Sequence, residues 1–201
     1  MTIGGSALAL GMLVAAPSFA ALESQAEPIG NLGRFLEKYI GDCASDDPEF
    51  DRAQCEARAA RTRATHKGRA YVLEVDDLDG VLRFAKWDKR KKAFRLHLTP
   101  FFQGRTFALT IGKPRVGKRR GLPVVSNLPI WVKLPDGEPE FIFRRTLERA
   151  QVRLKLVVEL GRPWSLPRRG EKGLYRGVQA KLRGLRLVGS RSDRVLAEQT
   201  Y

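Results

Sequence analysis

The feature that most constrains the fold is a change of hydrophobic period at Gly68. Beyond this residue, apolar side chains recur at every second position, which is typical of half-buried strands and not of helices. The pattern is clearest in VRLKLVVEL, where Val157 is the one apolar residue on the otherwise polar face between Val152 and Leu160. A strand with one polar face suits an antiparallel sheet, because such a sheet can expose that face to water.

The same pattern predicts a series of strands that are bounded by turn residues. The predicted strands span 71–75, 81–87, 93–99, 105–111, 124–134, 152–160, 175–189 and 195–198. In the longest of them, Leu185 falls out of phase with Val178 and Leu182. We therefore expect a β-bulge near Arg183-Gly184, which would turn the later leucines back towards the core.

The order of these segments predicts the fold class. EFIFRRTLERAQ is ambiguous, since it fits either a strand over 140–143 or a helical turn over 145–150. Because no longer helical run follows, we expect a mainly β domain over residues 66–201. It is predicted to be an antiparallel β-barrel or β-sandwich, with an OB-like barrel as one form, carrying an N-terminal helical hairpin.

The predicted hairpin occupies residues 31–65. In NLGRFLEKYIGDC, one helical face carries Leu32, Phe35, Leu36, Tyr39 and Ile40. Asn31 is suited to cap the start of this helix, and Gly41 to end it. A second helix is predicted from Pro48 to about Ala64, with Asp47 as its cap. Its apolar face is shallow and consists mainly of Ala53, Ala57, Ala60 and Ala64.

The N-terminus predicts export. The first twenty residues contain no charged side chain, and Ser18 and Ala20 are small residues at the positions that a signal peptidase reads. We therefore expect a signal peptide over 1–20, cleavage after Ala20, a linker over 21–30, and a periplasmic or secreted protein. The missing basic n-region leaves a retained anchor or an upstream start codon as alternatives.

Export also bears on the two cysteines. In an oxidising compartment Cys43 and Cys55 can form one pairing, which would staple the two helices together. In the chain-entropy model such a bond contributes about 3 kcal/mol. Neither His66 nor His97 has finger-like spacing to both cysteines, so we expect no metal site.

No motif indicates a reaction or a cofactor. The chain has two histidines and no GxSxG motif, and His97 lies on the polar face of its strand. Asp76, Asp77 and Asp79 precede Gly80 but lack the later glutamate of a calcium loop, so they are interpreted as a turn. A non-catalytic protein is favoured, while a hydrolase with an unrecognised carboxylate pair stays open.

Positive charge is concentrated in the β domain. Residues 21–65 hold six Lys and Arg against nine Asp and Glu, whereas residues 66–201 hold 31 against 13, a net +18. The candidate anion-binding residues form three groups: Lys89, Arg90, Lys91 and Lys92; Lys113, Arg115, Lys118, Arg119 and Arg120; and Arg168 and Arg169. If the strands meander simply, the first two groups share one end of the domain.

Such a basic rim has several candidate partners. An anionic lipid, lipopolysaccharide or an acidic protein would suit an exported module. Single-stranded nucleic acid, with Trp87 and Trp164 as stacking rings, is a weaker alternative, because an exported protein seldom meets it. The same charges also serve plain solubility.

Three stretches carry a resemblance to a known family. They are GNLGRFLEKYIGDC with a second cysteine soon after, LTPFFQGRTFALT, and RPWSLPRRGEKGLYRGVQAKL. In these the chain resembles an uncharacterised family of exported proteins from Gram-negative bacteria, over most of the mature length. The resemblance implies export and the disulfide, and it supplies no activity and no catalytic residue.

Overall fold

The computed structural model describes residues 16–41, 43, 51–117, 122–148, 152–168, 173–190 and 193–201. Its helices are α1 (Phe19–Ser24), α2 (Leu32–Ile40), α3 (Arg52–Thr65) and α4 (Glu140–Glu148). Its strands are β1 (Glu27–Pro28), β2 (Ala70–Val75), β3 (Leu82–Asp88), β4 (Ala93–Leu98), β5 (Phe101–Gln103), β6 (Phe107–Ile111), β7 (Arg115–Val116), β8 (Pro123–Val124), β9 (Leu128–Lys133), β10 (Val152–Pro167), β11 (Leu174–Gly189) and β12 (Val195–Thr200). The mainly β class is confirmed.

The strands form open sheets. The largest has the order β1-β2-β10-β11-β6-β5, with β12 added to β11, and the others are β3-β4-β9 and β7-β8. None of the described sheets closes into a barrel, so the barrel prediction is wrong. The sheet is also mixed, because β1 pairs with β2 and β6 with β11 in parallel. The alternation of apolar and polar residues determines which side chains face inward but not which strands pair. The sequence therefore could not distinguish an open sheet from a closed barrel.

One hydrophobic core joins the two larger sheets and α2. Phe94 and Ile130 from the three-stranded sheet belong to the same buried cluster as Leu154 and Leu187 from the large sheet. Leu36 on α2 is fully buried in that cluster. Residues 31–65 therefore pack on the β domain, with α2 as the inserted element.

Two bulges bend the long hairpin formed by β10 and β11. Val157 pairs with Gly184 and Val158 with Leu182, which leaves Arg183 as an extra residue. This confirms the bulge that was predicted near Arg183-Gly184. A second bulge, which the sequence did not predict, places Gly161 and Arg162 opposite one residue of β11.

The helical hairpin forms as predicted, except that α3 buries a different face from the one expected. The Asn31 side chain accepts the Arg34 amide at 2.9 Å, and the backbone leaves the helix at Gly41. The Cys43–Cys55 disulfide is present, while the predicted cap and proline at 47 and 48 lie outside the described residues. The described part of α3 begins at Arg52, where the Asp51 carboxylate accepts the Gln54 amide at 2.8 Å.

The predicted alanine face of α3 is wrong. Its members Ala53, Ala57, Ala60 and Ala64 are all exposed, whereas Ala59 is 4% exposed. The disulfide at Cys55 turns this side of the helix inward, so that Ala59 sits against Gly41. An added Cβ at Gly41 would lie 2.7 Å from the Ala59 Cβ.

Helices α4 and α1 lie in the ambiguous segment and at the end of the predicted signal peptide. The ambiguous stretch forms α4, with Phe143 and Leu147 buried. Residues 1–15 of the predicted signal peptide lie outside the described residues, but α1 packs on the large sheet. Within the part of the chain that the structure describes, no helix has the length and apolar character needed to cross a membrane.

Candidate functional site

The first predicted basic group forms the exposed tip of the β3–β4 hairpin. The Asp88 carboxylate accepts the amides of Arg90 and Lys91 at 3.0 and 3.1 Å, and it thereby fixes the turn. The Lys91 ammonium lies 3.9 Å from the centre of the Trp131 ring, a cation–π geometry. This group is therefore an ordered and exposed surface turn.

Lys113, a member of the second group, does not share an end of the domain with the first group. Lys113 follows β6, and the Ile111 amide donates to Pro100, just beyond the C-terminal end of β4. The hairpin tip lies at the N-terminal end of β4, and a six-residue strand spans about 20 Å. The chain changes sheets between β4 and β5, so a simple meander does not form. Lys118, Arg119, Arg120 and Arg169 lie outside the described residues.

The third group leads to a different site. Three adjoining cavities lie along the outer half of the β10–β11 hairpin, two of about 560 and 320 Å³ beside α2 and α3, and one of about 300 Å³ beside β5 and β6. Arg168, just after β10, lines the last of these. All three cavities share Arg176. We call this region the arginine cleft, and its charged and aromatic lining is Arg52, Glu56, Arg63, Phe101, Arg105, Trp164, Arg168, Tyr175 and Arg176.

The cleft lies where β10 extends past β2, its other neighbour in the sheet. β2 pairs with β10 only as far as Glu159, and among the described strands the outer half of β10 pairs only with β11. The bulge at Gly161 bends the hairpin there, and the Tyr39 hydroxyl of α2 donates to the Gly161 carbonyl at 2.9 Å. The bend and this hydrogen bond hold the hairpin end against the helices.

The indole of Trp164 packs directly on the backbone of a glycine, Gly177. Trp164 pairs across the hairpin with Gly177, where an added Cβ would lie 2.4 Å from the indole ring and 2.2 Å from the Ala108 carbonyl oxygen. Only a glycine allows this approach. The indole is partly exposed in the cleft, and its ring centre is 6.4 Å from that of Phe101.

Two arginines hold the end of α2. Arg63 donates to the Ile40 carbonyl at 3.2 Å, and Arg176 donates to the Gly41 carbonyl at 3.4 Å. The Arg176 guanidinium also stacks 5.0 Å from the centre of the Phe107 ring. Cations at a helix C-terminus satisfy its terminal carbonyls, so these two side chains have a structural role beside any binding role.

Arg105 and Arg168 line the same cavity of the cleft from different elements. Arg105 lies in the turn between β5 and β6, which packs so closely on α2 that a Cβ at Gly104 would lie 3.0 Å from the Gly33 Cα. Arg168 lies over Tyr175 at 4.9 Å from the ring centre. Both arginines are exposed at the mouth of the cleft.

The electrostatics of the cleft favour an anion. Its described lining carries five arginines and one acid, and that acid, Glu56, is paired with Arg52 at 3.0 Å. Burial raises the pKa of Tyr39 behind the cleft, although the positive charge of Arg63 opposes this shift. Guanidinium groups bind phosphate and carboxylate oxygens through paired hydrogen bonds.

The described residues contain few of the side-chain groupings that sequence motifs of catalytic sites require. No group of three His, Cys, Asp or Glu side chains in the described ranges could hold a metal ion. The acidic turn at 76–79 is a turn as interpreted, with the Asp77 carboxylate accepting the Asp79 amide at 3.0 Å and Gly80 at positive φ. Thr106 and Ser165 supply hydroxyls to the cleft, and no histidine accompanies them there.

Sequence reasoning missed most of this site. Of the predicted anion-binding residues that the structure describes, only Arg168 lines the cleft, and Arg63, Arg105 and Arg176 were not singled out. These three come from a helix, a turn and a strand that are far apart in the chain. The one local signal is the Arg176-Gly177 pair opposite Trp164, where a glycine interrupts a strand.

The fold and the site together define a mainly β protein with open sheets, a disulfide-stapled helical hairpin and an arginine-lined cleft. A model described as a family of unknown function (DUF6066) matches residues 5–198, and the chain belongs to that family. This supports the resemblance to an uncharacterised family, while export and a Gram-negative source stay predictions. Comparisons with curated proteins and with solved structures gave no match.

Proposed function

We propose that the protein is a non-catalytic, exported module that binds an anionic component of the cell envelope in the arginine cleft. The single observation that carries this proposal is the cleft lining, with five arginines and one paired acid around adjoining cavities. A net charge of +15 adds a long-range attraction for any polyanion, and the concave surface of the cleft can select among anions by their shape.

The shape of the cleft favours a compact anionic group over an acidic protein surface. The cavity lined by Arg105 and Arg168 has a volume of about 300 Å³, which is at the lower end of the range of small-molecule sites, whereas protein partners use broad and flatter patches. A phosphate or carboxylate group of a lipid or glycolipid headgroup could enter between Arg105 and Arg168, the two arginines at its mouth. Trp164 and Tyr175 supply ring faces for the uncharged body of such a headgroup.

Export is supported by the disulfide. Structural disulfides persist in oxidising compartments and are rare in the cytosol of most bacteria. Cys43–Cys55 closes a hairpin that forms one wall of the cleft, since Cys43 itself lines the cavity of about 560 Å³. A compartment that kept the bond oxidised would keep this wall in place.

The test compares two variants with the same loss of charge. Arg105→Gln with Arg168→Gln removes two positive charges at the cleft mouth, and Lys89→Gln with Arg90→Gln removes two at the exposed hairpin tip. Binding of each to lipopolysaccharide, to phosphatidylglycerol vesicles and to single-stranded DNA is measured by titration across a salt series.

We expect the cleft variant to bind lipopolysaccharide or the vesicles at least about tenfold more weakly at physiological salt, and the tip variant to change less than about twofold. Equal losses in both variants, or binding that disappears in salt for every probe, would show that only the general positive field acts. Preference for DNA would move the assignment to nucleic acid, and no binding to any probe would favour an acidic protein.

A further inference from the structure

Helix α1 covers a part of the large sheet that the sequence pattern leaves unexplained. Val157 is the apolar residue on the polar face of β10, yet it is fully buried. Its partner across the hairpin is Gly184, so both residues present the same face of the sheet. An added Cβ at Gly184 would lie 3.0 Å from the Phe19 ring and 3.2 Å from Leu22.

Phe19 is the centre of this second, small core. Its side chain is 0% exposed, and the Arg186 guanidinium lies 4.4 Å from the centre of its ring. Its amide donates to the Glu198 carboxylate on β12 at 3.3 Å. The Ser18 hydroxyl accepts the Ala21 amide at 3.3 Å and caps the helix.

Charged groups fix the other side of the same helix. One carboxylate oxygen of Glu23 lies 2.9 Å from the Lys155 ammonium, and the other lies 3.1 Å from Arg186. Lys155 and Arg186 are paired across the hairpin, and the Glu23 carboxylate contacts both of them. These pairs are partly buried, so salt screens them less than it screens exposed surface pairs.

These contacts conflict with cleavage after Ala20. That cut would remove Phe19, whose ring is fully buried and covers the bare backbone of Gly184. Loss of a fully buried phenylalanine is among the most destabilising changes known in protein cores. A mature protein that begins at Ala21 would therefore lack a part of its own fold.

We infer that α1 belongs to the mature protein and that export processing cuts the chain before Phe19. Ala16 and Ser18 are small residues at the two positions that a signal peptidase reads for a cut after Ser18. Both are exposed in the described structure. This cut would leave Phe19 as the first residue, with its new ammonium group beside the Glu198 carboxylate. The processing site depends on the export part of the proposed function, whereas the role of α1 in the fold does not.

The first experiment tests the role of α1 without export. Chains 17–201 and 21–201 are purified, and their melting temperatures are compared. We expect 21–201 to melt about 10 °C lower, and Phe19→Ala in 17–201 to reproduce most of this loss. Ala20→Ser, at an exposed neighbouring position, serves as the matched control and should melt within about 1 °C of the parent. Equal melting of the two chains would overturn the inference.

The second experiment reads the cut itself. The full chain is expressed in a Gram-negative host, and the N-terminal residue of the periplasmic product is determined by sequencing and intact mass. We expect Phe19 or an earlier residue, and we expect Ala20→Leu to leave processing unchanged, because that position is not read. A product beginning at Ala21 would overturn the inference. An uncut chain in the cytosol would refute export and with it the processing site, leaving the melting comparison to decide the role of α1.

Discussion

Among the glycines that the structure describes, Gly177 is the one where an added Cβ would lie closest to other atoms. Replacing it with alanine would force apart Trp164 and the Ala108 backbone, because both lie within 2.4 Å of the new Cβ. We expect Gly177→Ala to lower the free energy of unfolding by about 3 kcal/mol, as for other overpacked sites. Urea unfolding measures this loss.

The matched control for that variant is Gly30→Ala, where no atom lies within 4 Å of the added Cβ. We expect a change of less than about 0.5 kcal/mol there. Similar stabilities of the two variants would mean that Trp164 and β6 can move apart. The close packing of the Trp164 indole on Gly177 would then not be required for stability.

Tyr39 gives the fold a dependence on alkaline pH. Burial raises the pKa of this phenol above its ordinary value of 10.0, so the folded state holds the proton more tightly than the unfolded state. The resulting stability is complete below pH 10 and is lost as the pH rises through the folded pKa. We expect Tyr39→Phe to weaken the fall of melting temperature between about pH 10 and 12. Identical slopes for variant and parent would contradict this.

At the scale of elements, the disulfide joins two helices that differ in packing. α2 places Leu36 in the core, whereas α3 buries little beyond Ala59. The bond between Cys43 and Cys55 therefore holds α3 in place. We expect Cys43→Ala with Cys55→Ala to lower the free energy of unfolding by about 3 kcal/mol.

Reduction provides the control for the disulfide. A reducing agent should lower the stability of the parent by a similar amount and leave the double variant unchanged. If the reduced parent keeps its full stability, the packing of Ala59 on Gly41 is sufficient to hold α3. The loss of helix content, followed by circular dichroism, would show whether α3 alone detaches.

At the scale of the whole molecule, the two larger sheets share one core. Trp131 reports on the three-stranded sheet and Trp164 on the outer end of the long hairpin. Because Phe94, Ile130 and Leu154 belong to one buried cluster, we expect a single cooperative transition. Fluorescence of a Trp131-only and a Trp164-only variant should give the same urea midpoint as circular dichroism. Separate midpoints would mean that the sheets unfold independently.

Local patterns predicted the elements and one of the bulges. Asn31 and Gly41 bound α2 as predicted, and the phase change between Leu182 and Leu185 located the bulge at Arg183. These features depend on neighbours within a few residues, which the sequence shows directly. The alanine face of α3 failed, since the contact of Ala59 with Gly41 depends on a bond between separate segments.

The sequence by itself determined a mainly β chain with a stapled helical hairpin and a strongly positive β domain, because period, caps, cysteine number and charge are local properties. Only the tertiary structure decided that the sheets stay open, that β6 and β11 run parallel, and that Arg63, Arg105, Arg168 and Arg176 meet in one cleft. Strand pairing and the cleft both depend on contacts between segments far apart in the chain, and alternation constrains only the face that each strand buries.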